Sequence, residues 1–235
     1  MRKRSRRFSN IKEQVEKNKL YDPLDAIKLL QSLSSINFVE TLELHAVLGL
    51  DPKYADQQLR STIILPKGLG KQVRLAVIAK GEKLSEAFAS GADIAGSEDL
   101  IDDIFNGFLD FDRLIATPDM MLSIAKLGKS LGPRGLMPSP KSGTVTYQIA
   151  DAIQDFKSGK LEYKVDRNGI LHVAIGKLDF SSEDLNINLK VLQESVDKNR
   201  PSGSKGKYWK SLYLSSTMGP SIPIDFSILK DANLV

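Results

Sequence analysis

The chain has no cysteine and no long hydrophobic run among its 235 residues. The lack of thiols excludes disulfides, thiol nucleophiles and Cys-based zinc sites. No apolar segment is long enough to cross a membrane, and no apolar stretch of signal-peptide type follows the basic N-terminus. Because a helical pattern starts as early as Ile11, we expect the N-terminus to be that of the mature protein, and we expect no membrane partner.

Acidic residues are missing or scarce at both ends of the chain, and basic residues are scarce in the middle. Residues 198–224 contain no Asp or Glu, and residues 1–19 carry eight Lys or Arg against two Glu. Residues 82–119 hold ten acidic residues and only two basic ones, although the net charge of the chain is +4. This polarity favours a polyanion bound by the two ends, with the middle facing elsewhere. The alternative is that both are ordinary solvated surfaces.

Hydrophobic periodicity indicates mixed helices and strands in the two outer parts of the chain. The pattern predicts helices at 11–18, 22–34 and 181–196, and strands at 41–48, 59–65, 161–165, 171–175 and 212–215. Asn168-Gly169, between two of these strands, predicts a hairpin turn.

The middle of the chain alternates short strands and helices. Strands are predicted at 73–79, 92–95, 114–116 and 144–147, and helices at 82–90, 97–106, 119–127 and 149–156. Such alternation indicates βαβ units and a largely parallel sheet. We therefore predict a discontinuous two-domain chain: an α+β first domain (1–67 and 160–235) with an inserted Rossmann-like α/β second domain (68–159). Two consecutive domains are the alternative.

The motifs that would indicate an enzyme are incomplete. Gly68-Leu69-Gly70-Lys71 lacks the third glycine of a dinucleotide fingerprint, because Val73 stands there. Gly128-Lys129-Ser130 ends like a P-loop, but Ser123 replaces the earlier glycine. The two histidines lie in strand patterns without the spacing of zinc ligands and are expected to be structural or surface residues. We predict no catalytic residue, no metal site and no cofactor.

Two segments have the composition of a contact with a polyanion. Residues 127–141 combine glycines, prolines and basic residues in a shaped cationic loop, which fits a contact with RNA or another anionic partner as well as it fits a structural loop. Thr217-Met218-Gly219 follows the last strand, where small residues allow another backbone to approach closely; the alternative is an ordinary turn. Phe38, before the first strand, either packs into the core or supports a contact surface.

Several segments match one known family in order and spacing over nearly the whole chain. They are residues 38–43, 65–71, 79–81, 91–93, 116–119, 131–138, 141–145 and 217–221. In these segments the chain resembles the ribosomal protein L-one family, the large-subunit protein at the mobile stalk beside the tRNA exit site. The family's signature loop corresponds to Gly132, Pro133, Arg134 and Gly135.

The resemblance implies that the first domain binds large-subunit rRNA at the stalk, that the protein assists release of exit-site tRNA, and that it is a monomer within the ribosome. Phe38, Thr217, Met218 and Gly219 belong to the family's RNA site, and Glu40, Thr41, Lys177 and Ser211 are added by position. The basic arm adds Arg2, Lys3, Arg4, Arg6 and Arg7. A hinge between the domains is predicted at Pro66, Gly68, Gly70, Ser158 and Gly159.

A physical interpretation of this site follows from its residue types. The Thr217 hydroxyl and the amides of Met218 and Gly219 would bind ribose hydroxyls and phosphates, above an apolar floor of Phe38 and Met218. The basic arm would supply salt-sensitive affinity. RNA would then be recognised by its shape more than by its base sequence.

Two other functions and two locations stay open. A translational repressor that binds its own mRNA at a mimic of the rRNA site would use the same surface. A nucleotide-binding enzyme built on the inserted domain is disfavoured by both incomplete phosphate motifs. The tail at 223–235 and the Lys, Ile, Asn and Ser usage favour a plastid ribosome, with a cyanobacterial cytoplasm as the alternative.

Overall fold

The structure is a computed structural model that describes residues 5–16 and 19–227. The chain separates into two compact units, one formed by Met1–Gly70 with Tyr163–Val235 and the other by Lys71–Glu162. The chain passes from one unit to the other after Gly70 and again after Glu162, and we call the segments around these two places the crossings. Both places lie slightly later in the chain than the predicted domain boundaries. That each unit is an independent domain stays a prediction.

The helices and strands have the following bounds. The helices are α1 Arg6–Glu13, α2 Pro23–Leu33, α3 Glu82–Ala89, α4 Glu98–Phe105, α5 Met121–Ile124, α6 Gly128–Leu131, α7 Ile149–Lys157 and α8 Ser182–Lys198. The strands are β1 Thr41–Leu48, β2 Arg60–Ile64, β3 Leu75–Ile78, β4 Ile94–Gly96, β5 Arg113–Ala116, β6 Lys160–Lys164, β7 Ile170–Lys177, β8 Trp209–Ser216 and β9 Ser221–Pro223. Short 3-10 turns lie at Ala55–Gln57, Pro118–Met120, Ala125–Leu127 and Pro140–Ser142. In the part of the chain that the structure describes, no helix has both the length and the apolar character needed to cross a membrane.

The first unit is built on an antiparallel sheet with strand order β7-β1-β8-β9. The alternation predicted for β1 is confirmed, because Leu42, Leu44, Ala46 and Leu48 are buried while the residues between them are partly exposed. Helices α2 and α8 pack against one another and against this sheet. β2 pairs with β6 in a separate two-stranded sheet. β9 was not predicted, because Pro220 precedes it and Pro223 is its last residue, and prolines argue against a strand.

Local capping explains where the helices of the first unit begin. The Asp22 side chain accepts from Leu24 N at 2.8 Å, and the Ser181 hydroxyl accepts from Asp184 N at 3.1 Å, so both α2 and α8 start as predicted. Helix α1 starts at Arg6 instead of Ile11, since the Ser5 hydroxyl accepts from Phe8 N at 3.3 Å. The first turn of α1 is polar, and hydrophobic periodicity therefore could not locate it. Residues 17 and 18, the end of the predicted helix, lie outside the described residues.

The second unit contains a parallel sheet with strand order β4-β3-β5. All four residues of β3 are buried, because helices cover both faces of the sheet: Ala76 and Ile78 pack in a core with α4, and Leu75 and Val77 pack in a core with α3 and α7. The predicted fold class, an α+β part with an inserted Rossmann-like α/β part, is confirmed.

Three predicted elements differ from the structure in detail. The strand at 144–147 is only an isolated bridge between Val145 and Ala116. The helix at 119–127 is a succession of 3-10 and α turns that continues into α6, so the predicted loop at 127–141 begins as a helix. The Asn-Gly turn forms, with Gly169 at φ 77°, but β6 and β7 then enter different sheets after a single bridge between Val165 and Leu171.

Candidate nucleic-acid interface

Three strand ends meet at one edge of the sheet in the first unit. Because the strands are antiparallel, the start of β1 lies beside the ends of β7 and β8, with Thr41 opposite Lys177 and Leu42 opposite Ser216. This register brings together residues 38–41, Lys177 and residues 217–219, which we call the strand-end site. The site therefore unites most of the residues that the sequence assigned to RNA binding.

Thr41 forms hydrogen bonds to residues of both neighbouring strand ends in the strand-end site. Its backbone N–H donates to Thr217 Oγ1 at 3.1 Å, and its own hydroxyl accepts from Lys177 Nζ at 2.8 Å. The Lys177 ammonium group is thereby held at the edge of the sheet, where it is partly exposed. Two hydrogen bonds, one from the Thr41 backbone and one to its side chain, thus connect the three residues across the ends of β7, β1 and β8.

Glu40 has a different role from the predicted one. Its side chain is only 1% exposed, so it is corrected from an RNA contact to an internal support. Its Oε1 accepts from the Ser34 hydroxyl and its Oε2 accepts from Met218 N, both at 2.8 Å. Since a buried carboxylate is tolerated only with hydrogen-bond partners, Glu40 and the turn after β8 depend on one another.

The turn after β8 has few free backbone donors. Met218 N donates to Glu40, and Gly219 N donates to the Ser216 carbonyl at 3.2 Å. Both amides that were predicted to bind RNA are used inside the chain in this conformation, and their contact with RNA stays a prediction. The groups that the turn presents to solvent are the Thr217 and Met218 side chains, and Met218 is 48% exposed.

Phe38 and the basic helix complete the site. Phe38 is 52% exposed, which places it on the surface and not in the core. Arg7 Nη2 donates to the Met218 carbonyl at 3.1 Å, so helix α1 lies against the turn, and Arg6 is exposed on the same helix. Arg2, Lys3 and Arg4 lie outside the described residues.

Ser211 is not brought to the strand-end site. It lies at the start of β8, opposite Val47. Thr217 is six positions further along the chain, which corresponds to about 20 Å in an extended strand. A direct role for Ser211 in the same contact would need RNA that runs along the outer face of the sheet.

The outer face of the sheet carries a histidine pair that sequence reasoning did not connect. His45 and His172 are opposite one another in β1 and β7, with their Nδ1 atoms 2.8 Å apart, and His45 Nε2 is 2.8 Å from Ser215 Oγ. Burial, and secondarily the neighbouring His172, lower the pKa of His45, while Glu43 opposes this shift. Among residues 5–16 and 19–227, no group of three or more His, Cys, Asp or Glu side chains is placed to hold a metal ion.

We expect the free energy of unfolding to decrease when the pH is lowered from about 7 through the pKa of His45. The pKa of His45 is below its ordinary value of 6.5, so between that lowered pKa and 6.5 the unfolded chain binds more protons than the folded chain. Urea titrations at a series of pH values should show this loss, and His45→Gln should reduce it. His172→Gln removes only the effect of the neighbouring histidine on the pKa of His45, so it should reduce the loss of stability at low pH in part. An unchanged pH dependence in His45→Gln would contradict this assignment.

The residues of the predicted hinge are well ordered within their own units. Asn188, fully buried in α8, accepts from Lys67 N at 3.1 Å and donates to the carbonyls of Gly68 at 3.1 Å and Ile175 at 2.9 Å. Pro66 and Gly68 are thereby fastened to the first unit, which moves the candidate hinge towards Gly70. A side chain at Gly70 would meet Lys177 and the Phe180 ring at 2.8 to 3.0 Å.

The second crossing and the signature loop lie in the other unit. Ser158 N and Gly159 N donate to the carbonyls of Gln154 and Phe156, so both residues close the end of α7. In the signature loop, Gly132, Pro133, Arg134 and Gly135 are exposed and follow α6. Hinge function for the five predicted residues stays a prediction.

An exposed apolar pair beside a lysine and an arginine-bearing helix is typical of a protein that binds nucleic acid and not of an enzyme. The chain belongs to the ribosomal protein L1p/L10e family, which matches residues 29–220. The predicted family is thus confirmed, and with it a non-enzymatic constituent of the large ribosomal subunit.

Full-length relatives refine this assignment. The chain is 65% identical to "Large ribosomal subunit protein uL1c" of Gracilaria tenuistipitata var. liui, over 98% of both chains. It is 62% identical to the protein of the same name in Pyropia yezoensis, over 97% of this chain and 100% of that one. It is 58% identical to "Large ribosomal subunit protein uL1" of Synechococcus elongatus, over 99% of this chain and 98% of that one. These algal plastid and cyanobacterial relatives support the predicted location in a plastid ribosome.

Proposed function

We propose that the strand-end site binds large-subunit rRNA at the mobile stalk. The observation that supports this most strongly is the turn at residues 217–219, which is held by hydrogen bonds to Glu40 and Thr41 while the Met218 side chain stays exposed. A rigid apolar surface of this kind suits unstacked bases and riboses of a folded RNA, and Lys177 suits a phosphate. Arg6, Arg7 and the rest of the basic arm add salt-sensitive affinity.

The anchored protein would then assist release of the exit-site tRNA as a monomer within the ribosome. The first domain (1–67 and 160–235) would hold the rRNA, and the inserted domain would move about the two crossings at residues 66–70 and 158–160. Gly70 and Gly159 have φ of 66° and 106°, so each crossing contains a residue whose backbone a bulkier side chain would strain.

Repression of the chain's own mRNA is a second function of the same surface. A site that recognises RNA mainly by shape also accepts an mRNA segment that folds like the stalk rRNA. Binding to a leader segment of the operon, in competition with the rRNA fragment, would support repression. Binding to rRNA alone would leave only the structural role.

The test is the affinity of the full chain for a stalk rRNA fragment. Phe38→Ala should weaken binding by about tenfold, because stacking of a base on an aromatic side chain contributes about 1–3 kcal/mol. Met218→Ala should also weaken binding, because it removes the exposed apolar side chain of the turn. Both side chains are exposed, so thermal stability should barely change. Tyr54→Ala, an equally exposed aromatic in the same unit, is the matched control and should bind like the unchanged chain. Affinity equal to that for an unrelated hairpin would refute the proposal.

A further inference from the structure

Within its described residues, the second unit contains four exposed basic residues that are free of ion pairs. They are Lys126, Lys129, Arg134 and Lys141. In the described part of the chain none of them has a carboxylate within 4.0 Å. Lys126 does act on Glu98 at longer range. The pKa of Glu98 is lowered mainly by Lys80, and Lys126 adds a small further lowering. No Asp or Glu occurs between residues 120 and 150.

Other basic residues of the same unit are neutralised by neighbouring carboxylates. The ion pairs are Lys71 with Asp112, Arg74 with Asp110, Lys80 with Glu98, Lys83 with Glu86, Lys157 with Asp93 and Lys160 with Asp155. In the described part of this unit, Arg113 is the one other basic residue without an ion pair, and it is only partly exposed. The exposed unpaired charge is therefore concentrated in residues 126–141, which we call the cationic segment. The contrast with the paired residues of the same unit favours an anionic partner for these four side chains over simple solvation.

The cationic segment is held rigidly from inside. Ile124, Leu127 and Leu131 are buried in the core with α4, which turns the lysines between them towards solvent. At the other end, Ser139 N donates to Thr144 Oγ1 at 2.8 Å and the Ser142 hydroxyl donates to the Ser139 carbonyl at 2.9 Å. The basic side chains therefore project from an ordered backbone, so binding an anion orders only the side chains.

We propose that the cationic segment is a second RNA-binding surface, which holds the sugar–phosphate backbone without reading its sequence. Phosphates are the polyanion that a ribosomal protein meets in excess, and exposed Lys and Arg side chains recognise them as point charges or forks. The cationic segment belongs to a different unit from the strand-end site, and the proposal does not depend on the function of that site. The phosphates belong either to large-subunit rRNA or to a tRNA, and the two are distinguished by experiment.

The experiment compares two variants of the full chain that have the same net charge. One carries Lys126→Gln, Lys129→Gln, Arg134→Gln and Lys141→Gln; the control carries Lys71→Gln, Lys80→Gln, Lys83→Gln and Lys157→Gln. Binding is measured over a salt series to a stalk rRNA fragment and, separately, to deacylated tRNA. The first variant should bind at least one of these RNAs about tenfold more weakly, with a salt slope that is shallower by about one unit for each phosphate that is no longer bound. The control should change both quantities far less.

Each outcome decides the question. A weakening with the rRNA fragment alone assigns the phosphates to rRNA, and a weakening with tRNA alone assigns them to tRNA. Equal effects of the two variants would show that only net charge matters, and no effect of either would show that the segment binds no RNA; both results overturn the proposal. Repeating the measurement with Met218→Ala present separates this surface from the strand-end site, since independent contacts give additive changes in binding free energy.

Discussion

Replacing Glu40 by alanine is expected to weaken binding to stalk rRNA by about a hundredfold, which corresponds to about 2.7 kcal/mol. The change leaves Met218 N and the Ser34 hydroxyl, both in partly buried hydrogen bonds, without their acceptor. Such a loss costs about 1–3 kcal/mol of folding free energy, and here it also frees the turn that presents Met218. The measurements are rRNA affinity and the urea midpoint of the same preparation.

The chain offers two comparisons for Glu40. Glu43→Ala, three residues further along the chain on the partly exposed side of β1, removes the same charge and should change neither quantity by more than a small factor. Glu40→Gln keeps the size and one acceptor, and should lie between the unchanged chain and Glu40→Ala. If Glu40→Ala bound rRNA normally, the turn would not need its internal support, and the positioning role would be wrong.

Gly219→Ala is expected to have an effect of similar size, about a hundredfold on rRNA affinity. A Cβ at this position would overlap Ser216 Oγ, and Ser216 is buried at the end of β8, so it has little room to move. Either the Ser216 hydroxyl or the turn must shift, and because Ser216 is buried we expect the turn to move away from Glu40 and Thr41. Fluorescence anisotropy with a labelled stalk fragment measures the change in affinity.

A compensating substitution tests the cause of that weakening. Ser216→Ala removes the overlapping oxygen and leaves Ser216 Cβ 3.5 Å from the new methyl group, which is an ordinary contact. The double variant should therefore regain much of the affinity. Ser216→Ala alone, which adds no atom to the turn, is the control and should bind normally. A double variant as weak as Gly219→Ala would exclude steric overlap as the reason.

The strand-end site could be predicted in outline because the alternation in β1 and the turn after β8 are each visible in a short stretch of sequence. The strict alternation in β1 defines the buried face without any knowledge of the partner strands, and the family resemblance supplied the turn after β8. The position of Ser211 shows the limit of this approach. The predicted strand at 212–215 already lies between Ser211 and Thr217, and the structure lengthens it to Trp209–Ser216. The match of motifs therefore added Ser211 to the site against the distance that the strand itself implies.

The supporting residues could not be recognised from the sequence. Glu40 looks like a solvated charge, since glutamates are rarely buried, and its partner Met218 lies 178 residues away. Asn188 looks like an ordinary polar residue on a helix surface, although it is fully buried. Each side chain has at least one backbone partner from a distant part of the chain, and neither composition nor periodicity contains that information.

The three hydrogen bonds of Asn188 limit the degrees of freedom of the first crossing. Residues up to Gly68 are fastened to the first unit, and Gly70 packs closely against Lys177 and Phe180. The next residue, Lys71, already pairs with Asp112 of the second unit at 2.7 Å. Only a few backbone torsions therefore remain free there, and because adjacent Cα atoms keep a separation of about 3.8 Å, they permit twisting but hardly any stretching.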